Sequence, residues 1–116
     1  MHDKRSERNW KLRANDILTC IEKIQEYTKG LTYDQFRDDA KTVDAVIRNL
    51  EIIGEAAGYI PETIQERYPD LAWMEMRGMR NIMIREYFGV SLPIIWRTAI
   101  YDLPPLIEGM KRLLDE

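Results

Sequence analysis

Four polar side chains able to meet a charged ligand crowd into one run, Trp73-Met74-Glu75-Met76-Arg77-Gly78-Met79-Arg80-Asn81-Ile82-Met83-Ile84-Arg85-Glu86-Tyr87. Arg80 and Arg85 offer guanidinium groups, Asn81 an amide and Tyr87 a phenol. On a helical wheel of roughly 100° per residue, Met76, Met79 and Met83 form one apolar stripe. Arg80 and Tyr87 fall within or beside that stripe rather than opposite it. An arginine so placed needs either a carboxylate partner, such as Glu55 or Asp44, or an anion to bind. A guanidinium suits phosphate because its planar fork of donors stays charged at physiological pH, and for the same reason it cannot act as a general base there. Arg80 and Arg85 stand five residues apart, which on a regular helix turns them roughly 140° from each other. They therefore converge on one phosphate only if the helix is distorted near Arg85, or if a second subunit completes the site across a two-fold axis.

The elements that must hold this run are all helical by pattern. From about Ser6 to Lys29, Leu12, Ile17, Cys20, Ile21, Ile24 and Tyr27 recur at helical spacing, and Gly30 supplies the stop. Thr32-Tyr33-Asp34-Gln35 has the form of a capping box opening a short helix that carries Phe36. A longer helix follows from about Asp39 to Tyr59, with Val43, Val46, Ile47, Leu50, Ile53, Ala57 and Ile60 on one face and Pro61 forcing its exit. Gly54 and Gly58, four apart in it, permit close approach of another helix, in the core or at a dimer contact. Pro61 to about Arg67 reads as a short helix, and Asp70 is placed to cap the one that carries the polar run, from about Leu71 to Tyr87, with Gly89 ending it. Ser91 can cap a further helix through Ile100 with Pro93 in its first turn, and a last one runs from about Pro105 to Leu114. No strand pattern appears. The expected architecture is an all-α antiparallel bundle of about four to six helices, forming one domain over residues 1–116.

Composition narrows the function classes. With 116 residues, 45% of them apolar, the chain can build one core but not two. A net charge of −3 gives no global attraction for nucleic acid, so any such contact must be local. Between Met1 and Arg13, Lys4, Arg5, Arg8, Lys11 and Arg13 outnumber Asp3 and Glu7, which reads as a solvated helix start or, alternatively, as an RNA-facing surface. The single cysteine, Cys20, excludes an internal disulfide and, with only His2 to accompany it, a zinc site of the Cys/His type. His2 sits where a terminus frays, which leaves it no catalytic part. No apolar run is long enough to span a bilayer and no signal-peptide core is present, so a cytoplasmic location is expected.

The spacing Arg80-Asn81-x-x-x-Arg85-x-Tyr87, followed by Phe88-Gly89-Val90, Trp96 and Asp102-Leu103-Pro104, resembles the HepT toxins of the HEPN ribonuclease superfamily. Their signature reads arginine, four residues, histidine, one residue, tyrosine. The resemblance extends over nearly the whole chain, including Ile24-Gln25-Glu26-Tyr27-Thr28-Lys29-Gly30 and Leu50-Glu51-Ile52-Ile53-Gly54-Glu55-Ala56-Ala57. It implies a HEPN-like fold, a homodimer and a metal-independent RNA endonuclease that is the toxin of a type VII toxin–antitoxin module. By position, Arg80 is the phosphate-binding arginine, Asn81 the supporting polar group, and Arg85 stands where the acid/base histidine is expected. Tyr87 takes the place of the tyrosine that an MntA-like nucleotidyltransferase antitoxin modifies by AMPylation. An added AMP would set negative phosphate beside Arg80 and block RNA. No cofactor or metal is implied. With arginine at position 85 the expected activity is absent or weakened. The competing readings are a non-catalytic HEPN binding or scaffolding module and a plain helical dimerisation module.

Overall fold

A computed structural model describes residues 4–81 and 92–116, with residues 4–8 as backbone alone. Among the described residues seven α-helices follow one another: α1 (Lys4–Thr28), α2 (Tyr33–Arg37), α3 (Ala40–Ala57), α4 (Glu62–Arg67), α5 (Trp73–Gly78), α6 (Leu92–Arg97) and α7 (Leu106–Leu114). Among the described residues there is no strand, and the all-α fold expected from the apolar spacing is the fold observed.

Local chemistry sets most of the boundaries. Thr28 ends α1 by turning its hydroxyl back onto the Ile24 carbonyl at 2.8 Å, and Gly30 reverses the chain at a φ of 76°, a value that L side chains rarely adopt. The capping box of α2 forms reciprocally. The Gln35 N–H donates to the Thr32 hydroxyl at 3.2 Å, and the Thr32 N–H to the Gln35 side-chain oxygen at 2.9 Å. Asp39 caps α3 by accepting from the Thr42 hydroxyl at 2.7 Å and from the Thr42 N–H at 3.1 Å. Those two bonds, the hydroxyl's first, hold its carboxyl below the usual aspartate range.

The core is one cluster built chiefly where α1 lies along α3, with Ile17, Ile21 and Ile24 from the first and Val46, Leu50 and Ile53 from the second fully or almost fully buried. α7 closes the other side of α1 through Met110 and Leu113. Phe36 seats against Trp96 of α6, ring centres 5.0 Å apart. Two residues assigned to the buried stripe of α1 face outward instead. Leu12 is 62% exposed and Tyr27 38%, because the buried face of α1 runs through Trp10, Ala14, Ile17, Ile21, Ile24 and Thr28 and leaves both off it.

The segment carrying the polar run departs from a single helix over Leu71–Tyr87. It becomes helical only at Trp73, whose indole N–H donates to the Tyr68 carbonyl at 3.0 Å, and gives way after Gly78 to a 3₁₀ turn over Met79–Asn81. Asp70 does not cap it; its carboxylate accepts from Arg112 of α7 at 3.2 Å. Downstream, α6 widens into a π-helical turn over Thr98–Asp102, where the Leu103 N–H reaches the Thr98 carbonyl. Pro104, which has no N–H to continue the ladder, follows at once. Met83, Arg85, Tyr87, Gly89, Ser91 and His2 lie outside the described residues.

Candidate functional site

The 3₁₀ turn decides where Arg80 points. Trp73 and Met76 of α5 and Met79, which opens the 3₁₀ turn, are buried, while Arg80 and Asn81, the next two residues of that turn, are at the surface. Arg80 does not sit within the apolar stripe, as a continuous α-helix would have it.

Its backbone is braced from behind by α3. A Cβ placed on Gly54 would come within 2.9 Å of both the Cα and the Cβ of Arg80, and closer still to its N. Glycine at 54 is therefore what lets the 3₁₀ turn lie against the middle of the central helix. Of the two glycines in α3, this one makes the close approach; Gly58 is exposed and caps the helix end. Neither Glu55 nor Asp44 pairs with Arg80, which makes no ion pair among the described residues.

Arg80 and Asn81 form one rim of a cleft of about 460 Å³, whose other walls are Glu51, Glu55, Gly58 and Tyr59 of α3 and its exit. Glu51 is bound by Arg48 at 3.3 Å through one oxygen, while the other is buried and without a hydrogen-bond partner. A carboxylate oxygen in that condition is an acceptor awaiting a donor. Tyr59, 58% exposed, carries the guanidinium of Arg13 over its ring at 4.2 Å and also lines a second cleft, of about 520 Å³, with Asn9, Trp10, Leu12, Arg13, Asp16 and Pro61. The two clefts meet at its ring.

Of the residues picked out by sequence, then, Arg80 and Asn81 come together at a cleft, while Arg85 and Tyr87 fall outside the described residues. Glu51 and Tyr59 were missed as site residues, and Arg13 was named only within the basic start of the chain, as one of five basic residues. The first two sit among apolar neighbours in a run that reads as core helix, and the pairing of Arg13 with Tyr59 joins residues far apart in the chain. Cys20 is buried, and burial raises its thiol above the ordinary cysteine range, which makes it a poor nucleophile. Among the described residues no group of three or more His, Cys, Asp or Glu is placed to hold a metal ion.

An exposed guanidinium, an amide beside it and a stiff backing helix define a helical protein suited to hold an anion at its surface. The chain belongs to the HepT-like ribonuclease family, whose model, described as "Ribonuclease HepT-like", matches residues 17–113. It is 42% identical over 110 residues to the "Probable ribonuclease HepT" of Thermococcus cleftensis, covering 95% of this chain and 97% of that one. It is 43% identical over 106 residues to the "Gamma-glutamylcyclotransferase and putative RNase" of Methanocaldococcus jannaschii, covering 91% of this chain. The chain spans about half of that longer relative, 48% of its length. No solved structure matches the chain.

Proposed function

We propose that the protein is the toxin of a toxin–antitoxin module, an RNA endonuclease by descent whose present form cuts weakly because Arg85 stands where the family has histidine. Arg80 binds the scissile phosphate, Asn81 supports it, and a partner nucleotidyltransferase neutralises the protein by adding AMP to Tyr87. The observation that carries this reading is the seating of Arg80 on Gly54, which holds an exposed guanidinium at the rim of a cleft.

Metal-independent cleavage of RNA joins the 2′-oxygen to phosphorus and breaks the bond from phosphorus to the 5′-oxygen. A base removes the 2′-hydroxyl proton, an acid returns a proton to the departing 5′-oxygen, and a cation holds the charge that gathers on the phosphoryl oxygens. Arginine supplies the last of these and neither of the first two. Imidazole, with an unperturbed pKa of about 6.5, both takes and returns a proton near neutrality.

Arg85→His is expected to raise RNA cleavage in metal-free buffer by about 10²- to 10⁴-fold, the usual worth of general acid–base catalysis. Arg80→Ala placed on Arg85→His should return cleavage to background. Arginine at position 85 also favours a second reading, a non-catalytic module that binds RNA or scaffolds its partner. A folded Arg85→His protein that cuts no faster than the parent decides for that one.

A further inference from the structure

We infer that Tyr59, with Arg13 stacked on it, is a nucleobase platform that holds a base of single-stranded RNA next to the phosphate bound by Arg80. The inference rests on the ribonuclease reading and extends it to residues outside the signature run.

Tyr59 is the one residue that lines both clefts, which places it between the Arg80 rim and the α1 side. Tyr59 is 58% exposed, two residues beyond the end of the central helix, between the exposed Gly58 and the buried Ile60. Arg13 lies over one face of it, 4.2 Å from the ring centre, so a base would stack on the opposite face or on the guanidinium itself. Single-stranded RNA is recognised in this manner, by bases laid on aromatic rings and arginine planes.

Charge selects bases over backbone as the occupant. Asp16 lines the cleft on the α1 side, and Glu51 and Glu55 line the one beside Arg80, so three carboxylates face the path against Arg13 and Arg80. A track of phosphates would be repelled along most of this groove, whereas bases bring N–H donors that carboxylates accept. The geometry thus takes one phosphate at Arg80 and a neighbouring base at Tyr59. The basic start of α1 enters the site through Arg13, by stacking rather than by bulk charge.

The test is binding of a fluorescein-labelled single-stranded RNA with 2′-O-methyl riboses, which cannot be cut, followed by fluorescence anisotropy for the parent chain and its variants. Tyr59→Ala should weaken binding by about fivefold to a hundredfold, the range found when a stacking aromatic is removed, and Tyr59→Phe should bind as the parent does. Tyr59→Leu, which keeps apolar bulk without a π face, should resemble the alanine variant and guards against a packing effect. Arg80→Ala should weaken binding too and make the slope of log affinity against log salt shallower by about 0.7, one phosphate contact's worth. If Tyr59→Ala and Tyr59→Leu bind as tightly as the parent while Arg80→Ala binds more weakly, the platform is wrong and the phosphate assignment stands. If the parent itself binds no RNA, both fail.

Discussion

A guanidinium and an imidazole both donate hydrogen bonds to a phosphate, yet only the imidazole changes its proton count near neutral pH. The single residue at position 85 therefore separates a binder from a catalyst without altering what either would bind. Tyr87, two residues on, carries a different prediction. Incubated with a nucleotidyltransferase of the kind proposed, ATP and magnesium, the protein should gain AMP increments by intact-mass measurement, and Tyr87→Phe should not. Persistence of the increments in Tyr87→Phe would move the modification elsewhere. AMP at this position would bring negative charge and an adenine into the neighbourhood of Arg80, enough to compete with RNA for the same cation. Arg80 and Asn81 were legible in the sequence because a polar pair in an apolar run has few explanations. Tyr59, and Arg13 as its stacking partner, were not, because an aromatic at the end of an amphipathic helix reads as packing until the fold shows it exposed and stacked.

At the scale of the element, Gly54 is the hinge of the argument, since it alone lets the 3₁₀ turn Met79–Asn81 press against α3. Gly54→Ala sets a methyl group against backbone atoms of Arg80, which cannot rotate away as a side-chain tip would. Overpacking of this kind typically costs about 1–3 kcal/mol. The melting temperature should fall by several degrees, and RNA binding should fall with it because Arg80 is displaced. A Gly54→Ala protein as stable as the parent and binding RNA equally well would show that the close approach does not set the site. The capping box at Thr32 and the turn at Gly30 were both legible, being set between residues a few positions apart. The 3₁₀ and π turns were not. Each is set by what the neighbouring helices leave room for, and sequence periodicity assumes a constant 3.6 residues per turn.

At the scale of the whole molecule, the order of helices follows from the apolar spacing, but which helix faces outward depends on packing that no local pattern encodes. Met74 of α5, Ile94 of α6 and Tyr101 of the π turn are 73%, 57% and 68% exposed. Ile94 and Tyr101 also line a cleft of about 650 Å³ with Ala72, Met79, Ile95 and Leu106. Large apolar side chains clustered at a surface mark an interaction site more often than isolated ones do. The same face adjoins the 3₁₀ turn that carries Arg80, and Arg80 and Arg85 would diverge by roughly 140° on any straight helix. Both facts are met if two copies join there about a two-fold axis, each lending half of a composite site. Sedimentation at micromolar concentration should then report about twice the chain mass of 13.8 kDa. Ile94→Glu with Tyr101→Glu should yield monomers of unchanged helical content, because a carboxylate buried against its symmetry mate is costly while one in water is not. On the Arg85→His background that double variant should also lose RNA cleavage, although it touches none of the signature residues. Cleavage undiminished in a protein that sediments as a monomer would mean that one chain holds the complete site, and the composite-site reading would fall.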